Sequence, residues 1–298
     1  MVQGILIPVI TPFDDKGLVD EPMLRELIDF YIQASVQGLF FLGSSGQGPV
    51  MSVAERKKTA EIAVDETRSR LPVVIHVGTA DAESTVELAL HAADQGASAV
   101  AVIPPYYYSD HTEYEVVAHF RSVADAVPLP IFIYENPKYS GISIRPDLAL
   151  RMKEMIPSIR GIKVAYGMGS TLEYVRLFPP DVSVFTGNAD LFGLVPFGVA
   201  GMINPPTSFL PELCVELWQS LKDKEYQKAV GLQHRVNTAA RLVIGAIQRY
   251  GRSVVAETFR MRGFSIRRFP KWETRPMPKE ARDELLRELT ISGLLPGP

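Results

Sequence analysis

The chain reads as an α/β protein, a (β/α)8 barrel followed by a C-terminal helical extension, and three observations point there. Short apolar runs alternate with longer amphipathic runs for more than two thirds of the 298 residues. Eight such pairs occur, and strands that alternate with helices pair in parallel, because each crossover returns the chain to the same edge. The opening run, Gly4-Ile5-Leu6-Ile7-Pro8, leads into Thr11-Pro12-Phe13 and lacks the glycine-rich turn of an open doubly wound sheet. A closed barrel of about 250 residues is the simplest arrangement that uses all eight. The barrel and its active site are assigned to residues 1–210, and the helical extension to 211–298.

Strands are predicted at 4–10, 39–42, 73–77, 99–103, 131–134, 159–164, 182–186 and 199–203, where β-branched and aromatic residues run between turn residues. Helices fill the intervals near 21–37, 53–69, 82–95, 113–126, 147–155, 171–177 and 190–196. Ser52…Glu55, Thr112…Glu115 and Ser170…Glu173 fit the capping box, in which a hydroxyl and a carboxylate satisfy orphan backbone donors reciprocally. After Pro211 the strand signal stops, and 212–221, 224–249, 254–262 and 279–291 read as helices. The polar, proline-rich stretch 271–278 reads as a loop.

Bulk properties narrow the function. With 31 Lys and Arg against 34 Asp and Glu the formal charge is −3, and the basic residues are scattered, which argues against nucleic acid as a partner. No apolar run approaches the roughly 18 residues that span a bilayer. The N-terminus has no basic segment ahead of its short apolar run, so no signal peptide is expected. One cysteine, Cys214, excludes an internal disulfide framework. A soluble cytoplasmic protein is expected. The five histidines, His76, His91, His111, His119 and His234, show no zinc spacing, and neither a metal nor an organic cofactor is called for.

In such barrels the chemistry sits at the C-terminal ends of the strands. Those ends carry Thr11-Pro12, Gly43-Ser44-Ser45-Gly46, His76…Thr79, Pro105-Tyr106-Tyr107-Tyr108, Tyr134-Glu135-Asn136, Lys163, Gly187-Asn188 and Asn204-Pro205, a ring of hydroxyls and phenols around one amine. Side chains alternate across a strand, so Lys163 faces opposite Ile162 and Val164, into the barrel, with Gly161 making room beneath it. An amine of ordinary pKa, about 10.4, is only about one part in a thousand unprotonated near pH 7, and desolvation lowers that pKa. The plain alternative is a lysine that reaches solvent or pairs with Glu135. Tyr134, about one ~4.8 Å interstrand spacing away, is placed to carry protons for that amine. A tyrosine that merely caps the core is its plain alternative. The Gly43–Gly46 turn can cradle a carboxylate with hydroxyls and backbone N–H groups, or be a flexible turn. The three consecutive tyrosines suit a contact between subunits at least as well as core packing.

Together these positions resemble the dihydrodipicolinate synthase / N-acetylneuraminate lyase family of class I, pyruvate-dependent aldolases. The resemblance runs over nearly the whole chain and is carried by G-S-S-G at 43–46, P-Y-Y at 105–107, Y-x-x-P at 134–137, G-I-K at 161–163 and T-G-N at 186–188. It implies that Lys163 forms a Schiff base with the carbonyl of pyruvate or another 2-keto acid, with an aldehyde as the second partner. Tyr134 relays protons with Ser44 and with Tyr107, the last reaching in from a neighbouring subunit. Ser45 binds the keto-acid carboxylate, and Gly187 and the Ile203 backbone line the pyruvate pocket. A homotetramer built as a dimer of dimers is implied as well. Dehydration of a 2-keto-3-deoxy sugar acid and the 4-hydroxy-tetrahydrodipicolinate synthase reaction are alternatives through the same imine, and a barrel binding a small anion non-covalently is the alternative of another class. The chain departs from the synthase pattern Y-N-x-P-x-R-T. Tyr139 stands at the arginine's place, Glu135 stands where asparagine is usual, and Gln47 stands where glutamate is usual. A phenol supplies no guanidinium fork for the incoming semialdehyde's carboxylate, and the position of Lys138 in the turn is expected to aim it elsewhere.

Overall fold

In the computed structural model, which describes residues 2–165 and 167–295, eight parallel strands close into a barrel in sequence order. They are β1 (Gly4–Pro8), β2 (Gly38–Phe41), β3 (Val73–His76), β4 (Ala99–Val102), β5 (Ile131–Glu135), β6 (Ile159–Val164), β7 (Ser183–Thr186) and β8 (Gly201–Met202). Between them run α1 (Glu21–Gln33), α2 (Val53–Thr67), α3 (Ala82–Asp94), α4 (Glu113–Ala126), the single turn α5 (Pro137–Ser140), α6 (Pro146–Met155) and α7 (Met168–Leu177). Then follow α8 (Pro211–Lys222), the long α9 (Tyr226–Tyr250), α10 (Ser253–Arg260) and α11 (Lys279–Ile291). Among the described residues no helix is long and apolar enough to cross a membrane.

Two cores follow from strand alternation. Outward residues such as Ile5, Ile7, Leu39, Ile133 and Ile162 pack with the helix ring in one large cluster. Inward residues form a second cluster that includes Leu6, Phe40, Val74, Ala101, Ile103, Phe132, Tyr134, Phe185 and Ile203. Closure between β8 and β1 depends on Gly201, whose φ is +156° and whose missing Cβ would lie on the Gly4 carbonyl. Gly161 leaves space too, chiefly for a neighbouring strand's ring, since a Cβ there would stand 2.5 Å from Phe132.

The capping boxes at Ser52 and Thr112 form as expected. That at Ser170 does not. α7 begins earlier, at Met168 behind Gly167, so Ser170 and Glu173 lie inside the helix. The helix expected near 190–196 is also absent. Only a 3-10 turn, Val195–Phe197, forms, with Pro196 in it and Gly198 ending it at φ +100°. Gln233 of α9 takes over the hydrogen bonding of that segment, accepting from the Leu191 and Phe192 N–H groups and donating to the Ala189 carbonyl. α8 begins at Pro211 and packs on both β1 and α9.

Candidate active site

β5 and β6 set the site. Their register pairs Tyr134 directly with Lys163, and alternation turns both side chains into the barrel. Lys163 is 3% exposed. Its Nζ lies 4.3 Å from the centroid of the Tyr134 ring and 4.4 Å from that of Phe40 on β2. Among the described residues it has no ion pair or hydrogen bond, and burial pushes its pKa down to about 7. The two ring faces favour the ammonium by about 0.5–2 kcal/mol each, against the roughly 4–5 kcal/mol that such a drop represents, so desolvation wins.

The plain alternative for Lys163 fails. Glu135 follows Tyr134 and therefore faces the other side of the sheet, where it accepts from the Ser143 hydroxyl at 2.9 Å and the Ile144 N–H at 2.9 Å.

Tyr134 is equally buried, yet its phenol is served. The Ser44 hydroxyl lies 2.9 Å from it, and Asn136 Nδ2 donates to it at 2.9 Å. Burial raises this phenol above its ordinary pKa, while the hydrogen bonds from Ser44 and Asn136 and the charge of Arg252 pull the other way. Asn136 donates, so the phenol keeps its own proton for Ser44 or for a ligand. His76, edge-on to the Tyr134 ring, places Nδ1 3.1 Å from the Leu42 carbonyl. That oxygen can only accept, so Nδ1 carries the proton and Nε2 is a buried acceptor with no partner among the described residues. Burial, reinforced by the Arg56 charge, keeps the imidazole neutral.

Two cavities open above this floor. One of about 350 Å³ is walled by Ser44, Ser45, Lys138 and Tyr139 and, from the extension, Ile247 and Arg252. The other, about 190 Å³, lies over His76, Tyr106 and Tyr134. Ser44, Tyr139 and Arg252 belong to both walls. The Ser45 hydroxyl on the larger cavity has no hydrogen-bond partner among the described residues, which leaves it open to an anion.

The remaining expected residues lie further out. Tyr107 is 86% exposed with φ +87° and takes no part in this chain's own relay. Gly187 gives its N–H to Val164 and its carbonyl accepts from Asn204 Nδ2, which ties β6, β7 and β8 together at their ends. Ile203 gives its N–H to Thr186 and buries its side chain in the inner cluster. Neither lines the two cavities. Lys138 does not point away as expected. It lines the larger cavity with Nζ 5.7 Å from the Tyr139 ring centroid, because α5 is a single helical turn that brings residues 138 and 139 to the same mouth.

Asn136, His76, Phe40 and Arg252 were not singled out by sequence reasoning. Asn136 and His76 stood at strand ends without a distinguishing pattern. Arg252 sits about ninety residues after Lys163, at the N-cap of α10, where no local signal exists. Among the described residues no three His, Cys, Asp or Glu side chains gather as a metal site would require.

The model of the dihydrodipicolinate synthetase family matches residues 1–291. YagE of Escherichia coli (strain K12), named as a 2-dehydro-3-deoxy-D-gluconate aldolase, is 36% identical over 234 residues, 76% of this chain and 77% of that protein. The 4-hydroxy-tetrahydrodipicolinate synthase of Methanopyrus kandleri is 29% identical over 99% of this chain and 98% of its own. The crystal structure of YagE in complex with pyruvate superposes with a TM-score of 0.91, at 29% identity, over 99% of both chains.

Proposed function

This chain belongs to the dihydrodipicolinate synthetase family, and from that premise we propose that it is a class I lyase that makes or breaks a carbon–carbon bond between pyruvate and an aldehyde through a Schiff base on Lys163. The observation that carries the proposal is the environment of Lys163, a buried amine with no carboxylate beside it among the described residues and a pKa near 7. Near neutral pH a large fraction of that amine is uncharged and nucleophilic. A barrel that held an anion non-covalently would keep the lysine charged.

The Lys163 amine adds to the ketone carbon of pyruvate to give a carbinolamine, and loss of water leaves a protonated imine. Tyr134, with Ser44 at 2.9 Å, supplies and removes the protons of these steps. The imine nitrogen draws electrons from C3, so loss of a C3 proton gives an enamine that attacks the aldehyde carbon. Cleavage runs the same steps backwards, the C3–C4 electron pair passing into the imine. Ser45, whose hydroxyl is unengaged, binds the keto-acid carboxylate, and Gly187 and Ile203 act at one remove, their backbone hydrogen bonds holding the ends of β6, β7 and β8 around the site. Tyr107 completes the relay from a neighbouring copy in a homotetramer. Its exposure, its ring contact with the exposed Tyr108, and its unusual backbone support that role. Cytoplasmic residence, and the division at 210/211 with α9 and α10 walling the active site, belong to the same proposal.

Incubation with pyruvate and borohydride, followed by intact-mass and peptide mapping, tests it. One reduced pyruvate adduct is expected, on Lys163. An unmodified protein, or label on another lysine, would overturn the assignment.

A further inference from the structure

We propose that Arg252 is the specificity-determining residue for the second substrate, and that the site takes an aldehyde whose end remote from the reacting carbonyl carries an anionic group, a carboxylate or a phosphate. This deepens the reaction proposed above and rests on it.

Two features of the cavities point to an anion. No aspartate or glutamate lines either of them, although acidic residues outnumber basic ones in the chain. Two cations stand at the mouth instead, both close to one phenol ring. Lys138 Nζ lies 5.7 Å and the Arg252 guanidinium carbon 5.9 Å from the Tyr139 ring centroid. Neither cation has an ion-pair partner among the described residues.

Arg252 differs in this from several other arginines of the extension. Arg260 and Arg282 pair with Glu257, Arg262 with Glu212, and Arg267 with Asp20. The Arg252 side chain is held instead by a neutral group, donating from Nη2 to the Tyr139 hydroxyl at 2.5 Å. That contact fixes the guanidinium over the mouth while leaving its charge unneutralised and most of its N–H groups free. A planar fork so held binds a carboxylate or phosphate in a two-point fashion. The Tyr139 oxygen accepts from Arg252, so its own O–H remains available as a further donor.

Position links this anchor to the reacting atoms. Arg252 and Ser44 wall the same two cavities, and Ser44 touches the Tyr134 phenol. A short aldehyde anchored at Arg252 by its far end therefore presents its carbonyl toward Ser44 and Tyr134. Position 139 carries no guanidinium, and α10 delivers one to that position's phenol from the far side of the cavity.

The test uses matched aldehydes with pyruvate as co-substrate, succinate semialdehyde against 4-hydroxybutanal and glyceraldehyde 3-phosphate against glyceraldehyde. The wild type should favour an anionic member over its neutral partner, and the favoured pair tells carboxylate from phosphate. Arg252→Gln should raise KM for that anionic substrate about 10- to 100-fold and so narrow its preference over the neutral partner, with the KM for pyruvate held within about twofold. Tyr139→Phe, which frees the guanidinium without removing it, should lose several-fold of the same discrimination. Calorimetric titration of the borohydride-reduced pyruvate adduct with the four aldehydes reads the same ranking without turnover. A neutral preference in the wild type, or a rise in pyruvate KM in Arg252→Gln, would overturn the inference while the Lys163 adduct stood. Absence of the adduct would instead strike the reaction itself.

Discussion

Lys163 and Glu135 face opposite sides of the same pair of strands, and burial drives both toward a pKa of about 7, the lysine downward and the glutamate upward. What separates them is company. The Glu135 carboxyl receives the Ser143 hydroxyl and the Ile144 N–H, which oppose its rise, and it ties the α5–α6 connection to β5. Lys163 sits beside two aromatic rings with no acceptor among the described residues, below cavities whose walls reach its proposed relay partners. A displaced pKa thus marks both a structural peg and the proposed nucleophile. Satisfaction of hydrogen bonds and access to a cavity tell them apart.

The sharpest way to break this comparison is Lys163→Met. Turnover and borohydride trapping should both vanish, a loss of at least about 10³-fold if the amine is the nucleophile. Wild-type turnover in that variant would end the account. Tyr134→Phe should lower kcat by about 10²–10⁴-fold, the usual worth of a positioned proton donor and acceptor. A change under threefold would reassign the tyrosine to packing.

A smaller effect tests the amine's state. Initial trapping rates at saturating pyruvate should be level above pH 7 and fall close to tenfold for each pH unit well below it, as the neutral amine is lost. A rate flat from pH 8 to pH 5 would contradict the lowered pKa.

Stability reads both groups at once. The native state holds the Glu135 proton between about pH 4.5 and 7, where the unfolded chain has lost it, so that group makes stability fall with rising pH. Between about 7 and 10.5 the unfolded chain holds a proton that native Lys163 lacks, so stability rises again. Urea melts should place the joint minimum near pH 7. Lys163→Met should be more stable than wild type there by about 2–4 kcal/mol, and Glu135→Gln should remove the acid-side slope while leaving turnover within about threefold. Equal losses of turnover in the two variants would erase the distinction drawn between them.

Much of this was legible in the amino-acid order, and the reason is local. A lysine placed two residues after a glycine in an apolar strand faces the opposite way from its aliphatic neighbours, and consecutive parallel strands of a barrel are adjacent. Those two rules bring Tyr134 and Lys163 together without coordinates. The same rules misjudged 190–196, where Pro196 and Gly193 weaken a helix and Gln233, some forty residues on, satisfies the backbone. They also misplaced Lys138, because a one-turn helix after β5 rotates it onto the cavity.

Alternation along a strand and the order of strands around the barrel are properties of the chain, so periodicity alone specified the barrel, its floor and the amine buried in it. The mouth belongs to packing. Arg252 reaches Tyr139 because α9 turns back over the strand ends at Gly251 and α10 starts there, and no short-range pattern encodes where a helix ninety residues downstream will dock. The difference is one of range. Steric alternation acts between neighbours in sequence, whereas the approach of a guanidinium to a distant phenol is settled by the whole arrangement of helices on the barrel.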